Sequence, residues 1–218
     1  MLDGFVFAPL HKAAFKLGGH DFPDEHQLFA HYLECSGPFG EMNVLNNLWT
    51  SRVTSHIPLK DVSARLSISK IIDAIKLAHV TLTKAGYDLP KIAIAAVNPH
   101  SGESGTCGKE EIEIIQPAVI KCQDSGINVS GPYSADTVFI KAFKGEFDAV
   151  VTMYHDQGQI ALKLMGFEHG VTICAGLPYP ITTPAHGTAF DIVGKGIADH
   201  RAMEQAVIIA AKMAGWRP

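Results

Sequence analysis

The chain has 218 residues, of which 47% are hydrophobic and 18% charged, and its formal net charge is -4. This balance is that of an ordinary globular protein, and the lack of a Lys- and Arg-rich stripe argues against a nucleic-acid-binding surface. No apolar run is long enough to span a bilayer, and the N-terminus lacks the pattern of a signal peptide. We therefore expect a cytoplasmic protein with no membrane and no nucleic-acid partner.

Short apolar runs alternate with stretches of helical periodicity along the chain. The runs predict strands at 4–8, 52–55, 92–97, 127–130, 147–153 and 170–175. The periodicity predicts helices at 25–33, 69–85, 110–123, 135–143 and 203–214. In helix 69–85 the buried face consists of Ile71, Ile75, Ala78 and Leu82, and Pro117 predicts a kink or a late start in helix 110–123. This alternation indicates an α/β fold with a largely parallel sheet.

Three histidines occupy similar places in this pattern. His56, His100 and His155 each follow an apolar or β-branched run. Ligands of open parallel sheets gather outside the carboxyl ends of the strands, so the three imidazoles are candidates to converge on one divalent metal. The alternative is that they are loop histidines that face solvent or form ordinary hydrogen bonds.

Three charged residues near these histidines are candidate catalytic groups. Asp156 follows His155 directly, and Lys163 lies about two helical turns further on, where a lysine beside a cation could move a proton to or from a hydroxyl. Lys163 could equally cover apolar surface at a helix end. Asp136 could add a carboxylate near the metal, or it could be a helix N-terminal acid.

The segment from His186 to Asp199 is rich in glycine. Gly187, Gly194 and Gly196 allow a backbone to approach a ligand closely. On spacing alone this is a weak indication of a cofactor loop, and an ordinary turn is the alternative.

Taken together, several segments resemble the 4-hydroxythreonine-4-phosphate dehydrogenase family. The resemblance covers nearly the whole chain and lies in Thr54–Asp61, Asn98–Glu103, Gly131–Thr137, Tyr154–Gly158 and His186–Asp199. The last segment also resembles the adenosine-side loop of isocitrate and isopropylmalate dehydrogenases. Family members have a further upstream stretch, so the resemblance implies a chain that lacks the N-terminal third.

The resemblance implies an α/β/α sandwich with the two-domain isocitrate/isopropylmalate dehydrogenase-like fold and an incomplete outer domain. Residues 25–180 would form the metal-binding and dimerisation domain, and residues 1–24 and 181–218 the remainder of the nucleotide-side domain. It implies a homodimer whose active site is shared between subunits, with a divalent metal (Zn, Mg, Mn or Co) on His56, His100 and His155 from both subunits.

The resemblance also implies NAD or NADP as cofactor and a small-molecule substrate that Lys163 contacts. The reaction would remove a hydride from a metal-bound secondary alcohol and give a β-keto acid that loses carbon dioxide. The nucleotide would be bound by residues of the Gly-rich segment, namely His186, Gly187, Thr188, Ala189, Asp191 and Gly194.

Three departures from the family pattern concern substrate contacts. Asp24–Gln27 replaces a Gly-His-Thr-Glu segment, and Thr172 and Ile181 replace a substrate-binding Asn and Arg. Loss of a bidentate Arg weakens anion recognition. We therefore expect a substrate without phosphate: a hydroxy acid or a cis-diol carboxylate. The alternatives are a 4-hydroxythreonine-4-phosphate dehydrogenase of vitamin B6 (pyridoxal phosphate) biosynthesis, and a truncated metal-binding dimer without catalysis.

Overall fold

This computed structural model describes residues 2–216. The chain forms two compact units: a terminal unit of residues 1–46 and 166–218, and a central unit of residues 47–165. These boundaries differ from the predicted functional division at 24/25 and 180/181, which stays a prediction. Within residues 2–216, no helix combines the length and the apolarity that crossing a bilayer requires.

Strands and helices alternate along residues 2–216. The strands are β1 (Phe5–Val6), β2 (Gly40–Leu45), β3 (Leu48–Arg52), β4 (Ile92–Ala95), β5 (Val129–Tyr133), β6 (Ala149–Thr152), β7 (Val171–Ala175) and β8 (Ile181–Pro184). The α-helices are α1 (Lys12–Leu17), α2 (Glu25–Tyr32), α3 (Val62–Arg65), α4 (Ile68–Lys84), α5 (Gln116–Asp124), α6 (Ala135–Ala142), α7 (His155–Leu164) and α8 (Arg201–Met213).

The central unit contains a sheet in the order β3-β6-β4-β5, and every pairing in it is parallel. Ala93 and Ala95 pack against α6 in one apolar cluster. Ile92 and Ile94 point to the opposite face because side chains alternate along a strand. Both isoleucines are also fully buried, so both faces of this sheet are covered.

Helix α4 shows why the sequence pattern was readable in this unit. The Ser67 hydroxyl caps the helix by accepting a hydrogen bond from the Lys70 amide at 3.3 Å. The predicted face of Ile71, Ile75, Ala78 and Leu82 is confirmed, since all four side chains are completely buried. Burying a side chain of this size stabilises the fold by roughly 1.5–3 kcal/mol.

The terminal unit has a mixed sheet in the order β1-β8-β7-β2. Strand β1 runs parallel to β8, whereas β7 pairs with β8 and β2 in antiparallel register. The prediction of a largely parallel sheet therefore holds for the central unit only. An apolar cluster that includes Phe7, Cys174 and Ile181 forms the core of this unit.

Two predicted elements differ from the structure. The strand expected at 52–55 lies earlier, at Leu48–Arg52, where the buried side chains of Leu48 and Trp49 occupy the sheet. The helix expected at 110–123 starts as a single π-helical turn, Glu111–Ile115, and α5 follows with Pro117 in its first turn. The regular α-helix therefore starts late, next to Pro117, while the helical segment as a whole begins close to the predicted residue.

Candidate active site

The predicted metal ligands and catalytic residues all belong to the central unit. His56 follows β3, and His155 is the first residue of α7, just after β6. Because β3 and β6 are parallel neighbours, their carboxyl ends lie at the same edge of the sheet. Beyond the strands, the Thr54 hydroxyl donates to the Met153 carbonyl at 2.7 Å. The structure thus brings His56 and His155 together, with ring centroids 5.7 Å apart.

Gln157 fixes the same edge of the sheet through its side-chain amide. Its side-chain oxygen accepts from the Met153 amide at 2.8 Å, and its side-chain nitrogen donates to the Ala96 carbonyl at 2.8 Å. One amide therefore ties the ends of β6 and β4 together. No sequence pattern predicted this role, although Gln157 lies inside the Tyr154–Gly158 segment that carried the resemblance.

The donor set around His155 fits a metal site. Its Nδ1 lies 2.7 Å from Asp156 Oδ1, an arrangement that leaves Nε2 free to bind a cation. Histidines that bind metals usually donate their other ring N–H to a carboxylate or a carbonyl in this way. A zinc ion lies roughly 2.0–2.1 Å from an imidazole nitrogen. Rings 5.7 Å apart can therefore share one ion.

His100 is displayed by an unusual backbone segment after β4. His100, Ser101, Gly102, Glu103 and Ser104 all have left-handed backbone angles, with φ between 44° and 77°. A left-handed helical conformation costs roughly 1–2 kcal/mol per L-residue. The surrounding structure has to supply this energy.

Buried Glu111 anchors this left-handed turn. One of its carboxylate oxygens accepts from the Val97 and Asn98 amides at 2.9 and 2.8 Å, and the other accepts from the Asn98 side chain at 2.9 Å. A Cβ at Gly102 would lie 2.7 Å from Glu111, and a Cβ at Gly108 only 2.3 Å from Asn98. Glycine is therefore required at both positions.

His100 itself is largely exposed and lies beside acidic groups. Its Nδ1 is 2.7 Å from Glu103 Oε1, and this hydrogen bond raises the pKa of His100, with a smaller contribution from Asp136. Asp136 lies in the first turn of α6. The second predicted ligand histidine thus has the same carboxylate partner arrangement as His155.

The described residues do not complete a three-ligand site within one chain. Among residues 2–216, no three His, Cys, Asp or Glu side chains come close enough together to hold one ion. Lys163 is exposed in the last turn of α7, about 12 Å along the helix axis from His155 at 1.5 Å per residue. The structure therefore divides the predicted residues into two groups. One group contains His56, His155 and Asp156. The other contains His100, Glu103 and Asp136.

The Gly-rich segment lies in the terminal unit and surrounds a cavity of about 800 Å³. The cavity is lined by Glu168, His186, Gly187, Thr188, Ala189, Ile192, Val193, Gly194, Gly196, Ala198 and Asp199. A Cβ at any of the three glycines would meet no protein atom within 4 Å. The bare backbone of this loop is thus open to a ligand, which fits a bound nucleotide.

The structure adds acidic residues to the predicted nucleotide site. Asp191 is exposed and is not among the cavity's described lining residues, whereas Glu168 and Asp199 are. Neither belonged to the predicted set, although Asp199 ended the segment that carried the resemblance. Glu168 precedes Asp199 by 31 residues, so only the folded structure shows that both residues line the same cavity.

The three positions that depart from the family pattern all lie in the terminal unit. Asp24 caps α2 by accepting from the Gln27 amide at 2.9 Å. Thr172 accepts a hydrogen bond from the Asn43 side chain at 3.0 Å. Ile181 is buried in the apolar cluster of the unit. At this position the chain therefore offers no cation to an anionic substrate.

The family of the chain follows from comparison with known proteins. The sequence model described as pyridoxal phosphate biosynthetic protein PdxA matches residues 1–210. The chain belongs to this family. A relative from Rhizobium meliloti is 52% identical over 97% of this chain and 61% of its own length. The D-threonate 4-phosphate dehydrogenase of Salmonella typhimurium is 42% identical over 95% of this chain and 63% of its own.

Solved structures confirm the fold. The 4-hydroxythreonine-4-phosphate dehydrogenase of Klebsiella pneumoniae superimposes with a TM-score of 0.83 at 41% identity, covering 96% of this chain and 64% of that one. A terephthalate 1,2-cis-dihydrodiol dehydrogenase of Burkholderia xenovorans gives a TM-score of 0.75 at 27% identity, covering 98% and 67%. The chain spans less than two thirds of the length of the curated relatives named here.

Proposed function

We propose that the protein is an NAD(P)- and divalent-metal-dependent dehydrogenase that oxidises the secondary alcohol of a small hydroxy acid. The observation that carries this proposal is the His56–His155 pair with Asp156 on His155, at the carboxyl edge of a parallel sheet. Family membership supports the dehydrogenase activity, because relatives 41–42% identical to this chain are named D-threonate 4-phosphate dehydrogenase and 4-hydroxythreonine-4-phosphate dehydrogenase.

For the substrate we favour a phosphorylated hydroxy acid of the 4-hydroxythreonine-4-phosphate or D-threonate 4-phosphate kind. Both names occur among relatives that cover more than nine tenths of this chain. The substitutions at Asp24–Gln27, Thr172 and Ile181 favoured an unphosphorylated substrate, so this proposal reverses that preference.

In this proposal, residues of the central unit bind the metal and contact the substrate. His56 and His155 hold the metal, and Asp156 keeps His155 in the tautomer and orientation that binding needs. When bound, the metal would supply Lewis-acid polarisation of a substrate oxygen, and the nicotinamide would supply a hydride acceptor. Asp136 and Lys163 complete the site, with Lys163 contacting the substrate and moving a proton at its hydroxyl.

A homodimer would reconcile the two separate histidine groups. His100 with Glu103 and Asp136 forms one group, and His56 with His155 the other. If each subunit contributes one group to a shared site, three imidazoles meet on one ion. The shared site, the dimer and the cytoplasmic location stay predictions.

An unphosphorylated hydroxy acid or cis-diol carboxylate is the second candidate substrate. It is favoured by the burial of Ile181 in an apolar cluster, which removes a cation from that position. The terephthalate dihydrodiol dehydrogenase neighbour is named for an unphosphorylated substrate.

The first test is metal content and substrate choice of the purified chain. We expect bound divalent metal that is lost in His155→Ala and His56→Ala and kept in His31→Ala, a change at an exposed histidine of the terminal unit.

Turnover of the 4-phosphorylated hydroxy acid but not of its dephosphorylated counterpart supports the first substrate, and the reverse supports the second. Absence of metal in the unmodified chain contradicts the metal site, and metal without NAD(P) binding indicates a non-catalytic remnant.

A further inference from the structure

Strand β1 is an open edge of the sheet in the terminal unit. It lies at the end of the strand order, and no strand among residues 2–216 pairs with its second side. The Phe5 and Phe7 amides donate to the Pro180 and Thr182 carbonyls at 2.8 and 3.1 Å. Because backbone amides alternate in direction along a strand, the Val6 amide points away from β8. Natural proteins usually cover or block such an edge.

An apolar pocket of about 390 Å³ lies beside this edge. Its lining includes Leu2, Phe5, Phe29, Tyr32, Leu33 and Tyr179, and its described lining contains no charged residue. The Phe5 ring packs against Phe29 with centroids 5.9 Å apart, yet Phe5 stays 44% exposed and Tyr32 65% exposed. Clustered apolar side chains that remain exposed are typical of an interaction site.

One extended polypeptide segment could occupy both features. A strand paired with β1 would hydrogen-bond along the side that carries the Val6 amide. Every second side chain of that strand would lie on the same face of the sheet as Phe5, where the pocket is. Recognition by strand addition combines backbone pairing and side-chain pockets in this way. A small apolar ligand would fill the pocket but leave the edge open.

The relatives indicate a source for this segment. The chain matches 61% of the Rhizobium meliloti relative and 63% of the Salmonella typhimurium dehydrogenase, so more than a third of each has no counterpart in these 218 residues. We propose that a strand of the kind found in that unmatched portion pairs with the open side of β1 and fills the apolar pocket. A second copy of this chain fits less well, because two facing concave pockets would leave each other unfilled.

The test is co-expression of this chain with the unmatched portion of the Rhizobium meliloti relative, which carries an affinity tag. We expect the two polypeptides to purify as a one-to-one complex. Amide hydrogen exchange at Val6 should be at least about tenfold slower in the complex than in the free chain, because the amide becomes hydrogen-bonded. The fluorescence of an apolar dye that binds the free chain should fall as the pocket is filled.

Two variants locate the contact. Val6→Pro removes the outward amide and leaves the Phe5 and Phe7 donors in place, so the affinity should fall about tenfold or more. Tyr32→Glu places a charge in the pocket and should weaken binding at least as much. Leu17→Glu, at an exposed apolar residue of α1 outside the lining, is the matched control and should bind like the unmodified chain. Thermal unfolding of each free variant shows that it is folded.

The remaining outcomes overturn the inference. Absence of a complex does so, and so does a complex that tolerates both Val6→Pro and Tyr32→Glu, since the segment would then bind elsewhere. Slow exchange at Val6 in the free chain that depends on protein concentration would identify a second copy as the occupant. None of these results bears on the proposed metal site of the central unit.

Discussion

The histidine-bearing edge of the central unit and the Gly-rich loop of the terminal unit position their groups in different ways. In the central unit, the polar side chains of buried Glu111 and half-buried Gln157 fix the backbone that carries His100 and His155. In the loop, exposed backbone surrounds a cavity. The contrast indicates that the proposed metal-binding groups are held in place before a ligand arrives, whereas the loop owes less of its geometry to packing.

The largest expected effect concerns Glu111. Glu111→Ala should lower the free energy of unfolding by about 3–5 kcal/mol, since each buried donor left unsatisfied costs roughly 1–3 kcal/mol. Urea unfolding followed by the fluorescence of Trp49, buried in the central unit, measures it. Glu113→Ala, on the same helical turn but exposed, should change stability by less than about 0.5 kcal/mol. Equal effects would contradict the anchoring role.

Two glycine substitutions contrast the regions directly. Gly108→Ala should cost about 2–4 kcal/mol, because its φ is +99° and the new Cβ would lie 2.3 Å from Asn98. Gly187→Ala meets no atom within 4 Å, so its stability should change by less than about 0.5 kcal/mol. Thermal unfolding of both variants checks this. A large loss at Gly187 would show that the loop is packed after all.

A smaller effect is expected where Asp156 supports His155. Asp156→Asn should weaken divalent-metal binding about 10–100-fold, because the carboxylate that orients the ring is lost. Competition against a chromophoric chelator measures the affinity. Asp88→Asn, an exposed acid of the same unit, is the control. An unchanged affinity in Asp156→Asn would argue that Asp156 does not support a ligand.

The smallest expected effect is a pH dependence of stability caused by His26, a buried side chain with fewer hydrogen bonds than Glu111. Nε2 of His26 has no hydrogen-bond partner among the described residues, and burial lowers the pKa of His26. Below pH about 6.5 the unfolded chain therefore binds a proton that the folded chain does not, so stability falls as the pH falls. Between pH 7.5 and 5.5 the unmodified protein should lose about 1 kcal/mol more than His26→Gln. His31→Gln, exposed in the same helix, should not show this difference.

Periodicity predicted the fold best where apolar side chains decide the structure. The buried face of α4 and the apolar strands β4 and β6 were found within a few residues. Strands β2 and β8 were missed because Gly40–Leu45 and Ile181–Pro184 are mixed with polar residues or end in proline. Strand direction in the terminal unit depends on long-range pairing, which local patterns do not report.

For the candidate site, the sequence identified side chains but not their grouping. The pairing of His56 with His155 follows from the adjacency of β3 and β6, which the order of elements alone does not give. Glu111 was missed because a glutamate at the start of a predicted helix is normally solvent-exposed. The sequence feature that could have indicated the role of Glu111 is the acidic pair Glu110–Glu111, shortly after the Asn98–Glu103 segment.

The left-handed turn after β4 also matters for protein engineering. Ser104 is exposed and has a φ of 57°, a conformation that glycine adopts without a steric penalty. Replacing it by glycine should therefore raise thermal stability, against the usual trend for glycine substitutions. A designer who seeks a more robust scaffold can thus start beside His100 without touching the histidine itself.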